Sequence, residues 1–223
     1  MSFKKWPRRM SLNEKIEMLG ISEEGFELYC QTFVKNWSQY RIKETESPGW
    51  YLVKSRTGRP VHLRREAIAD HLYGKYWVSI FAPEVPRYLP FDIDQSPAQL
   101  QIYRAITYWA NDLLTFRSSE TGGLHAYVFL PPAFPIRWDK LLKITEIELR
   151  KMGIELAPGT CELPLNPKLS LRLPLGRQSC LVHPKTLLPL DLNLGDAINY
   201  ISTHIRYYSI VDLFPWLKRR IHE

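Results

Sequence analysis

The order of strand-like and helix-like segments from residue 75 onward constrains the fold more than any other feature of the sequence. Short apolar runs with strand character, such as "KYWVSIFA", "RYLPF" and "LHAYVFL", alternate with two longer segments whose apolar residues recur at helical spacing. Ser96 and Pro97 predict the start of the first long helix, and Gly153 predicts the end of the second. The resulting order of strand, helix, strand, strand, helix and strand predicts an α+β fold with a mixed or antiparallel sheet, close to a βαββαβ unit.

The residues before this unit predict a smaller αβ part that packs onto it. Ser11 and Glu14 have the spacing of a capping box at the start of a helix, and Thr57-Gly58 predicts the turn of a strand pair within 47–63. We therefore expect one domain over 1–223, with an N-terminal αβ part at 1–82, a core at 83–193 and C-terminal helices at 194–223. Helices are predicted at 11–19, 22–37, 64–74, 136–152, 195–208 and 211–221, and a strand is predicted at 187–192.

Composition narrows the class of protein and its compartment. An apolar share of 45% and an aromatic share of 13% support a real core and argue against low-complexity disorder. The net charge of +7 favours a polyanionic partner. Three widely separated cysteines form no C-x-x-C pair, which indicates neither a zinc knuckle nor a disulfide framework and fits a reducing cytoplasm. No apolar run approaches the roughly 18 residues of a membrane span, so no membrane association is expected.

Two aspartates interrupt the apolar stretch "LPFDIDQS". Because side chains alternate along a strand, Asp92 and Asp94 are predicted to share one face while Ile93 points to the other. Two carboxylates on one face repel each other and lose hydration, and a divalent cation such as Mg²⁺ would remove both costs. The spacing alone also fits an exposed strand end with two solvated aspartates.

The stretch "SSETGGLH" places several hydrogen-bond donors near a strand. Ser119 precedes Gly122 and Gly123, and His125 lies on the strand that follows. Glycines let backbone N–H groups approach an anion closely, and a hydroxyl and an imidazole add donors, so one interpretation is a phosphate site. The other interpretation is an ordinary hairpin turn with a histidine on its strand.

A third group of polar residues lies between residues 161 and 193. Glu162 is a lone acid in an apolar strand, Arg172 alternates with leucines, and Arg177 and His183 flank a predicted hairpin. Asp191 lies in another apolar strand and is an alternative third acid. Carboxylates from two strands together with cationic donors are the components of metal-assisted phosphoryl transfer, although each basic residue also fits a surface charge.

Three signatures, in this order, resemble those of the archaeo-eukaryotic primase superfamily, the primase-polymerases. They are a D-x-D pair with apolar flanks, here "FDID"; a serine, a short glycine-containing loop and a histidine on a strand, here "SETGGLH"; and an acid in a strand followed by "LRLPLG" and a basic hairpin. The segment "RQSCLVHPKT" is similar to the nucleotide-binding stretch of replicative primase small subunits. The resemblance spans about residues 62–193, more than half of the chain.

The resemblance implies both a fold and an activity. The fold would be an N-terminal αβ unit packed on an RRM-like unit, with the active site in the cleft between them. The activity would be template-directed nucleotidyl transfer by a DNA primase or DNA polymerase. The partners would be a single-stranded DNA template, nucleoside triphosphates and one or two Mg²⁺ or Mn²⁺ ions, with no zinc site evident. A helicase or a priming module would act in trans or belong to a longer chain.

The resemblance also assigns roles to residues of this chain. The metal ligands would be Asp92, Asp94 and Glu162, with Glu162 preferred over Asp191 because it precedes "RLP" as the third acid of the family does. The nucleotide-binding residues would be Ser119, Gly122, Gly123, His125, Arg172, Arg177 and His183.

Two other classes of function stay open at this point. One is a non-catalytic nucleic-acid-binding protein, such as a replication initiator or a primase-like subunit, and the other is a metal-dependent nuclease. The acids argue against a pure binder, because negative charge near phosphates weakens binding, and donors suited to a triphosphate argue against a nuclease. Trp50, Lys54, Arg56 and Arg59 are predicted to lie along the template path, with a solvated hairpin as the alternative.

Overall fold

The protein is an α+β structure whose described residues form seven helices and two antiparallel sheets. The computed structural model describes residues 6, 9–44, 49–82, 85–111, 113–118, 122–132, 134, 136–164 and 170–215. The elements in chain order are α1 Leu12–Met18, α2 Glu23–Phe33, β1 Tyr40–Lys43, β2 Tyr51–Leu52, α3 Arg65–Leu72, β3 Trp77–Phe81, β4 Tyr88–Ile93, α4 Gln99–Trp109, β5 Leu114–Arg117, β6 Leu124–Phe129, α5 Trp138–Lys151, β7 Cys161–Glu162, β8 Ser170–Arg172, β9 Cys180–Leu181, α6 Leu194–His204 and α7 Ile210–Leu213.

The larger sheet has the strand order β7-β4-β6-β5-β9, and all of its neighbouring strands are antiparallel. Its first four strands in the chain, together with α4 and α5, follow one another as strand, helix, strand, strand, helix and strand. This order confirms the predicted βαββαβ sequence of elements and the α+β class. The neighbouring strands β4 and β6 pair along six residues each, the longest pairing in this sheet.

Each face of the larger sheet packs against a different apolar core. Leu89, Phe91 and Ile93 of β4 are fully buried in the core that contains the apolar side chains of α4 and α5. The opposite face of the sheet carries aromatic residues, including Tyr88 of β4 and Tyr127 of β6. They pack in a second core, which also contains apolar side chains of α2 and of the smaller sheet. The strand period of two therefore separates two cores across one sheet.

The smaller sheet has the order β2-β1-β3-β8 and joins the N-terminal part to the chain that follows α5. The predicted strand pair around Thr57-Gly58 is only partly confirmed, because β2 pairs with β1, a strand that the sequence pattern did not indicate. The turn itself is present: Gly58 has a φ of 79°, and the N–H of Ser55 donates to the carbonyl of Arg59 at 2.8 Å. Since β8, from the predicted core segment 83–193, pairs with β3, from the predicted N-terminal part, both parts contribute strands to the smaller sheet.

A buried carboxylate ties the N-terminal helix to α3. The Oδ1 of Asp70 accepts hydrogen bonds from Nζ of Lys15 and Nε1 of Trp6, both at 2.6 Å, and its Oδ2 accepts from Lys75 and Tyr76 at 3.1 Å. Burial raises the pKa of Asp70, but the hydrogen bonds from Lys15, Trp6 and Lys75 lower it by more, so the net pKa lies below the ordinary value. This network holds α1 against α3 as a charged, fully bonded group.

A buried histidine fixes the chain segment that follows β8. Nδ1 of His71 accepts the N–H of Val78 at 3.1 Å, and Nε2 lies 3.2 Å from the carbonyl of Pro174, to which it donates. Burial lowers the pKa of His71 to about 4. A Cβ on Gly176 would lie 2.1 Å from Cε1 of His71, so only glycine allows this close approach.

Several predicted boundaries move in the structure. Ser11 caps α1 through the predicted capping box, but α4 begins after Ala98, not at Ser96. The strand predicted at 187–192 is reduced to an isolated bridge between Val182 and Pro189, and the helix predicted at 211–221 is described only to its fifth residue. No helix in the described part of the chain is both long enough and apolar enough to cross a membrane.

Candidate functional site

A cleft of about 350 Å³ brings side chains of the two sheets together. Four lining residues come from the larger sheet or its connections, namely Asp92, Asp94, Ser118 and His125. The others come from the smaller sheet and its flanking segments, namely Lys43, Trp50, Trp77, Ser170, Leu171, Arg172 and Gln178. One wall therefore carries the carboxylates, and the facing wall carries cations and indole rings.

The strand register places three of the predicted site residues in one row across the larger sheet. Asp92 of β4 lies directly opposite His125 of β6 and directly opposite Glu162 of β7. Residues directly opposite each other in antiparallel strands have their side chains on the same face, so the three side chains are neighbours. Asp94 follows β4 and lines the same cleft as Asp92, as the alternation of a strand predicts.

Asp92 is the most closely held carboxylate of the cleft. Its Oδ1 lies 3.3 Å from Nε2 of His125, whose side chain is almost fully buried. Burial raises the pKa of Asp92, but its hydrogen bond and electrostatic interaction with His125, together with the charge of Arg172, lower it by more, so the net pKa lies below the ordinary value. Asp92 is therefore kept as a carboxylate and is oriented by His125.

The negative charge of Asp92 contributes to the raised pKa of the other two acids. Burial and the charge of Asp92 raise the pKa of Asp94. Burial and the charges of Asp92 and Asp94 raise the pKa of Glu162, which does not line the cleft itself but lies at a neighbouring pocket with Leu142. Asp191, the alternative third acid, is exposed and away from this row. The geometry therefore groups Glu162, and not Asp191, with the two aspartates.

The glycine loop before β6 is held in place at its end. Gly122 has a φ of 85°, which favours glycine, and its carbonyl accepts a hydrogen bond from Nε2 of Gln99 at 2.9 Å. A Cβ on Gly123 would lie 2.8 Å from Oγ of Ser118, so a larger residue there would displace the Ser118 side chain. Ser119, predicted to bind phosphate, lies outside the described residues, whereas its neighbour Ser118 lines the cleft.

The facing wall contains a tryptophan between two cations. Nζ of Lys43 and Cζ of Arg172 each lie 5.9 Å from the ring centroid of Trp77, within the range of a cation–π contact. Burial lowers the pKa of Arg172, while the charge of Asp92 acts to raise it. Sequence reasoning found Arg172 but missed Lys43 and Trp77. Neither β1 nor β3 has a strict alternation of burial, and a local strand pattern does not say which strands face a distant carboxylate.

Four predicted nucleotide-binding residues lie outside the cleft lining, namely Gly122, Gly123, Arg177 and His183. Arg177 offers its backbone carbonyl to Nε1 of Trp77 at 2.9 Å, and the next residue, Gln178, reaches the cleft instead. His183 is exposed, and its Nδ1 accepts the backbone N–H of Lys185 at 3.3 Å in a local turn. The motif spacing therefore locates the segment but not the side chains that enter the cleft.

The predicted template-binding residues separate into two groups. Trp50 lines the cleft and is about one-third exposed. Lys54, Arg56 and Arg59 lie on the exposed turn that follows β2 and are not among the lining residues. Trp50 is thus placed beside the carboxylates, and the three cations project into solvent next to it in sequence.

The carboxylate oxygens of Asp92 and Asp94 are the kind of ligand that a hard divalent cation prefers, and both side chains line the cleft. Mg²⁺ is usually held by one or two carboxylates together with water and substrate phosphates, so a full protein cage is not required. Within the residues that the structure describes, no three His, Cys, Asp or Glu side chains form a group that could hold a metal ion. Burial and the charges of neighbouring carboxylates raise the pKa of Asp94 and Glu162, and a cation at Asp92 and Asp94 would relieve the second of these effects.

The fold and the cleft define this chain as an α+β protein with a carboxylate row facing a cationic, aromatic wall. No protein-family model matches the chain, and no curated protein matches it. Any function must therefore be argued from the side chains of the cleft and from the resemblance of the motifs.

Proposed function

We propose that the protein is a nucleotidyltransferase of the primase-polymerase type, which extends a nucleic-acid strand along a template. The observation that carries the proposal is the opposition of charges in one cleft. Asp92 and Asp94 lie on one wall, and Lys43 and Arg172 lie on the other. Carboxylates that hold a cation and basic groups that hold a triphosphate are the two halves of a phosphoryl-transfer site.

The strand order supports the proposal at the level of the fold. The order β7-β4-β6-β5 within a βαββαβ sequence of elements is that of a ferredoxin-like or RRM-like sheet. The cleft lies between this sheet and the N-terminal αβ part, which is the arrangement that the primase-polymerase fold implies. The three motif segments, which lie far apart in the chain, contribute residues to the neighbouring strands β7, β4 and β6, where Asp92 lies opposite both His125 and Glu162.

In the proposed reaction, the 3′-hydroxyl oxygen of a growing strand forms a bond to the α-phosphate of a nucleoside triphosphate, and pyrophosphate leaves. Asp92 and Asp94, with Glu162 beside them, would hold Mg²⁺ or Mn²⁺, which supplies neutralising charge to the phosphates when bound. Arg172 and Lys43 would donate to phosphate oxygens across the cleft. His125 keeps Asp92 oriented, and Trp50 and Trp77 offer aromatic surfaces for a base of the nucleotide or template.

An incorporation assay tests this proposal. The protein is incubated with labelled nucleotides, primed or unprimed single-stranded DNA, and Mg²⁺, Mn²⁺ or a chelator. Extension of the labelled strand that depends on the template and disappears with the chelator is the expected result. Shortening of the template in place of extension would identify a nuclease.

A non-catalytic nucleic-acid-binding replication initiator is the second candidate, and one observation favours it. Asp92 already has a partner in His125, whose Nε2 lies 3.3 Å from its Oδ1. Template binding with the same affinity in metal and in chelator, without incorporation under any condition, would favour this candidate over the enzyme.

Replacement of His125 by alanine is expected to lower kcat/KM for nucleotide by about ten- to a hundredfold. The reason is the loss of a charge-assisted hydrogen bond of about 1.5–3 kcal/mol that orients Asp92. The matched control is His183→Ala, because His183 is exposed and lies outside the cleft. Equal kinetics for the two variants, with a lower melting temperature for His125→Ala alone, would make His125 a purely structural residue.

The third acid can be identified by comparing Glu162→Gln with Asp191→Asn. Both changes remove one charge and nearly preserve the shape of the side chain. Because Glu162 lies opposite Asp92 and Asp191 is exposed elsewhere, we expect Glu162→Gln to lose activity and to need more metal for half-maximal rate. Asp191→Asn should behave like the unchanged protein in a metal titration, and the reverse pattern would contradict this assignment.

A further inference from the structure

A second concave surface lies between α4 and α6 and shares no lining residue with the cleft. This α4–α6 groove has a volume of about 830 Å³ and is bordered by α4, by the turn after β9, and by the end of α6 with the residues that follow it. It is larger than the cleft and has no role in the proposed reaction. The proposed reaction therefore does not explain the residues that line this groove.

The α4–α6 groove is cationic. Arg104 from α4, Lys185 from the turn after β9 and Arg206 from the segment after α6 all line it and are all exposed. His204 is a fourth basic group at the same border. The described residues that line the groove include no aspartate or glutamate. Cations from three separate elements therefore converge on one surface, which favours an anionic ligand.

Aromatic and apolar side chains are exposed along the same groove. Tyr108, which is 88% exposed, lies outside the groove lining, but on α4 it follows the lining residue Arg104 by four residues, as Arg104 follows Leu100. Residues four apart on a helix lie on the same side, so Leu100, Arg104 and Tyr108 form one exposed stripe. On α6, the ring of Tyr200 stacks on that of His204 with a centroid distance of 3.7 Å. The groove thus alternates cations with flat or apolar surfaces.

We propose that the α4–α6 groove binds a single-stranded nucleic acid, at a site separate from the cleft. Its cations would pair with backbone phosphates, and Tyr108 would stack on an unpaired base. This combination of a basic track and stacking platforms is what a single strand requires. An acidic peptide would use the cations but not the stacking surface. A second copy of this chain would bring a net charge of +7 to a groove that is already positive.

Part of the sequence motif around "HPKT" lines the groove and does not line the cleft. Pro184 and Lys185 of "HPKT" line the groove, whereas the preceding His183 is occupied by local backbone hydrogen bonds. The basic turn after β9 therefore faces away from the carboxylate row. This inference concerns a different surface from the proposed function and does not depend on it.

The test is a binding titration in a chelator and without nucleotides, so that catalysis plays no part. Labelled oligodeoxythymidine and oligouridine, which share a phosphodiester backbone but differ in sugar, are titrated with the unchanged protein and with Arg104→Ala/Lys185→Ala/Arg206→Ala. Three lost phosphate contacts at about 0.7 each should make the slope of log K against log salt shallower by about 2 units. At 0.1 M salt this corresponds to binding weaker by up to about a hundredfold.

Two further variants sharpen the result. Tyr108→Ala should weaken binding by about five- to a hundredfold if it stacks on a base. The matched control is Lys140→Ala/Lys143→Ala/Arg150→Ala, which removes three exposed cations from α5, away from the groove. This control should keep both the affinity and the salt slope, and melting temperatures should be similar for all variants.

Three outcomes would overturn the inference. The first is an unchanged salt slope in the groove triple variant. The second is weaker binding in the triple variant without any effect of Tyr108→Ala, combined with competition by polyglutamate that equals competition by unlabelled oligonucleotide. This result would indicate a site for an acidic protein. The third is a change of self-association without a change in oligonucleotide binding, which would indicate a contact between copies. Because this assay measures binding without nucleotide or metal, and the groove variants leave every residue of the cleft lining unchanged, its result can be interpreted even if the incorporation assay fails.

Discussion

Asp92→Asn and Asp94→Asn are each expected to lower nucleotide incorporation by about a thousandfold or more. Each change removes one carboxylate from the row that would hold the divalent cation, and charge neutralisation by such a cation contributes several kcal/mol to phosphoryl transfer. The fold of Asp94→Asn should persist, because burial and the charge of Asp92 raise the pKa of Asp94, so that folding does not favour its charged form. Incorporation rates and melting temperatures measured together check both parts of this expectation.

Two controls make the result specific to the cleft. Asp191→Asn removes an exposed carboxylate that lies away from the row and should leave the rate unchanged. Raising the Mn²⁺ concentration should restore part of the activity of Asp94→Asn if a weakened ligand set is the cause. Full turnover by both cleft variants, with an intact fold, would remove the catalytic role of these aspartates.

Asp70→Ala is expected to lower the free energy of unfolding by about 3–5 kcal/mol, because it leaves the buried ammonium of Lys15 without its partner. For a chain of this size the melting temperature should fall by about 6–20 °C. Because the pKa of Asp70 is lowered in the folded state, its ionised carboxylate stabilises the fold at pH values above its ordinary pKa of 3.8. This stabilisation is lost as the pH falls through the folded-state pKa. Thermal melts at neutral pH and at low pH measure both effects.

The pair of Glu27 and Arg65 provides the matched control for this experiment. It is also a close carboxylate–cation pair, with an N–O distance of 2.7 Å, but both side chains are about half exposed. Glu27→Ala should therefore cost at most about 1 kcal/mol. The double change Asp70→Ala/Lys15→Met should recover much of the loss, since it removes both buried charges. A loss of equal size for Asp70→Ala and Glu27→Ala would show that burial does not strengthen the Asp70 network.

The larger sheet could be predicted from the sequence because its signals are local. Strand alternation, the glycine turns and the helical period of α4 and α5 each depend on residues within a few positions of one another. The same alternation placed Asp92 and Asp94 on one face, and both line the cleft. The resemblance of the motifs added His125 and Glu162 to the predicted site, and the structure shows both opposite Asp92 on neighbouring strands.

The smaller sheet and its wall of the cleft could not be predicted in the same way. β1 is short and has no strict alternation of burial, and its partners β2 and β3 are chosen by packing and not by a turn signal. β8 crosses back to β3 over a sequence separation of about 90 residues, and local pattern carries no information about such a pairing. For this reason Lys43 and Trp77 entered the site only through the structure. Ser118 was passed over for the adjacent Ser119 because a turn does not fix the face of each residue.

The two faces of the larger sheet have a consequence for how this protein can change over time. On β4 the positions of Tyr88 and Asp92 face the N-terminal part and the cleft, while Leu89, Phe91 and Ile93 face the helices. A substitution at one of these positions alters one contact, but a one-residue insertion within the strand turns every later side chain to the opposite face. The carboxylate would then enter an apolar core, and an isoleucine would replace it in the cleft. Descendants of this sequence should therefore differ within β4 and β6 by substitution only, and differences in length should collect in the connecting loops.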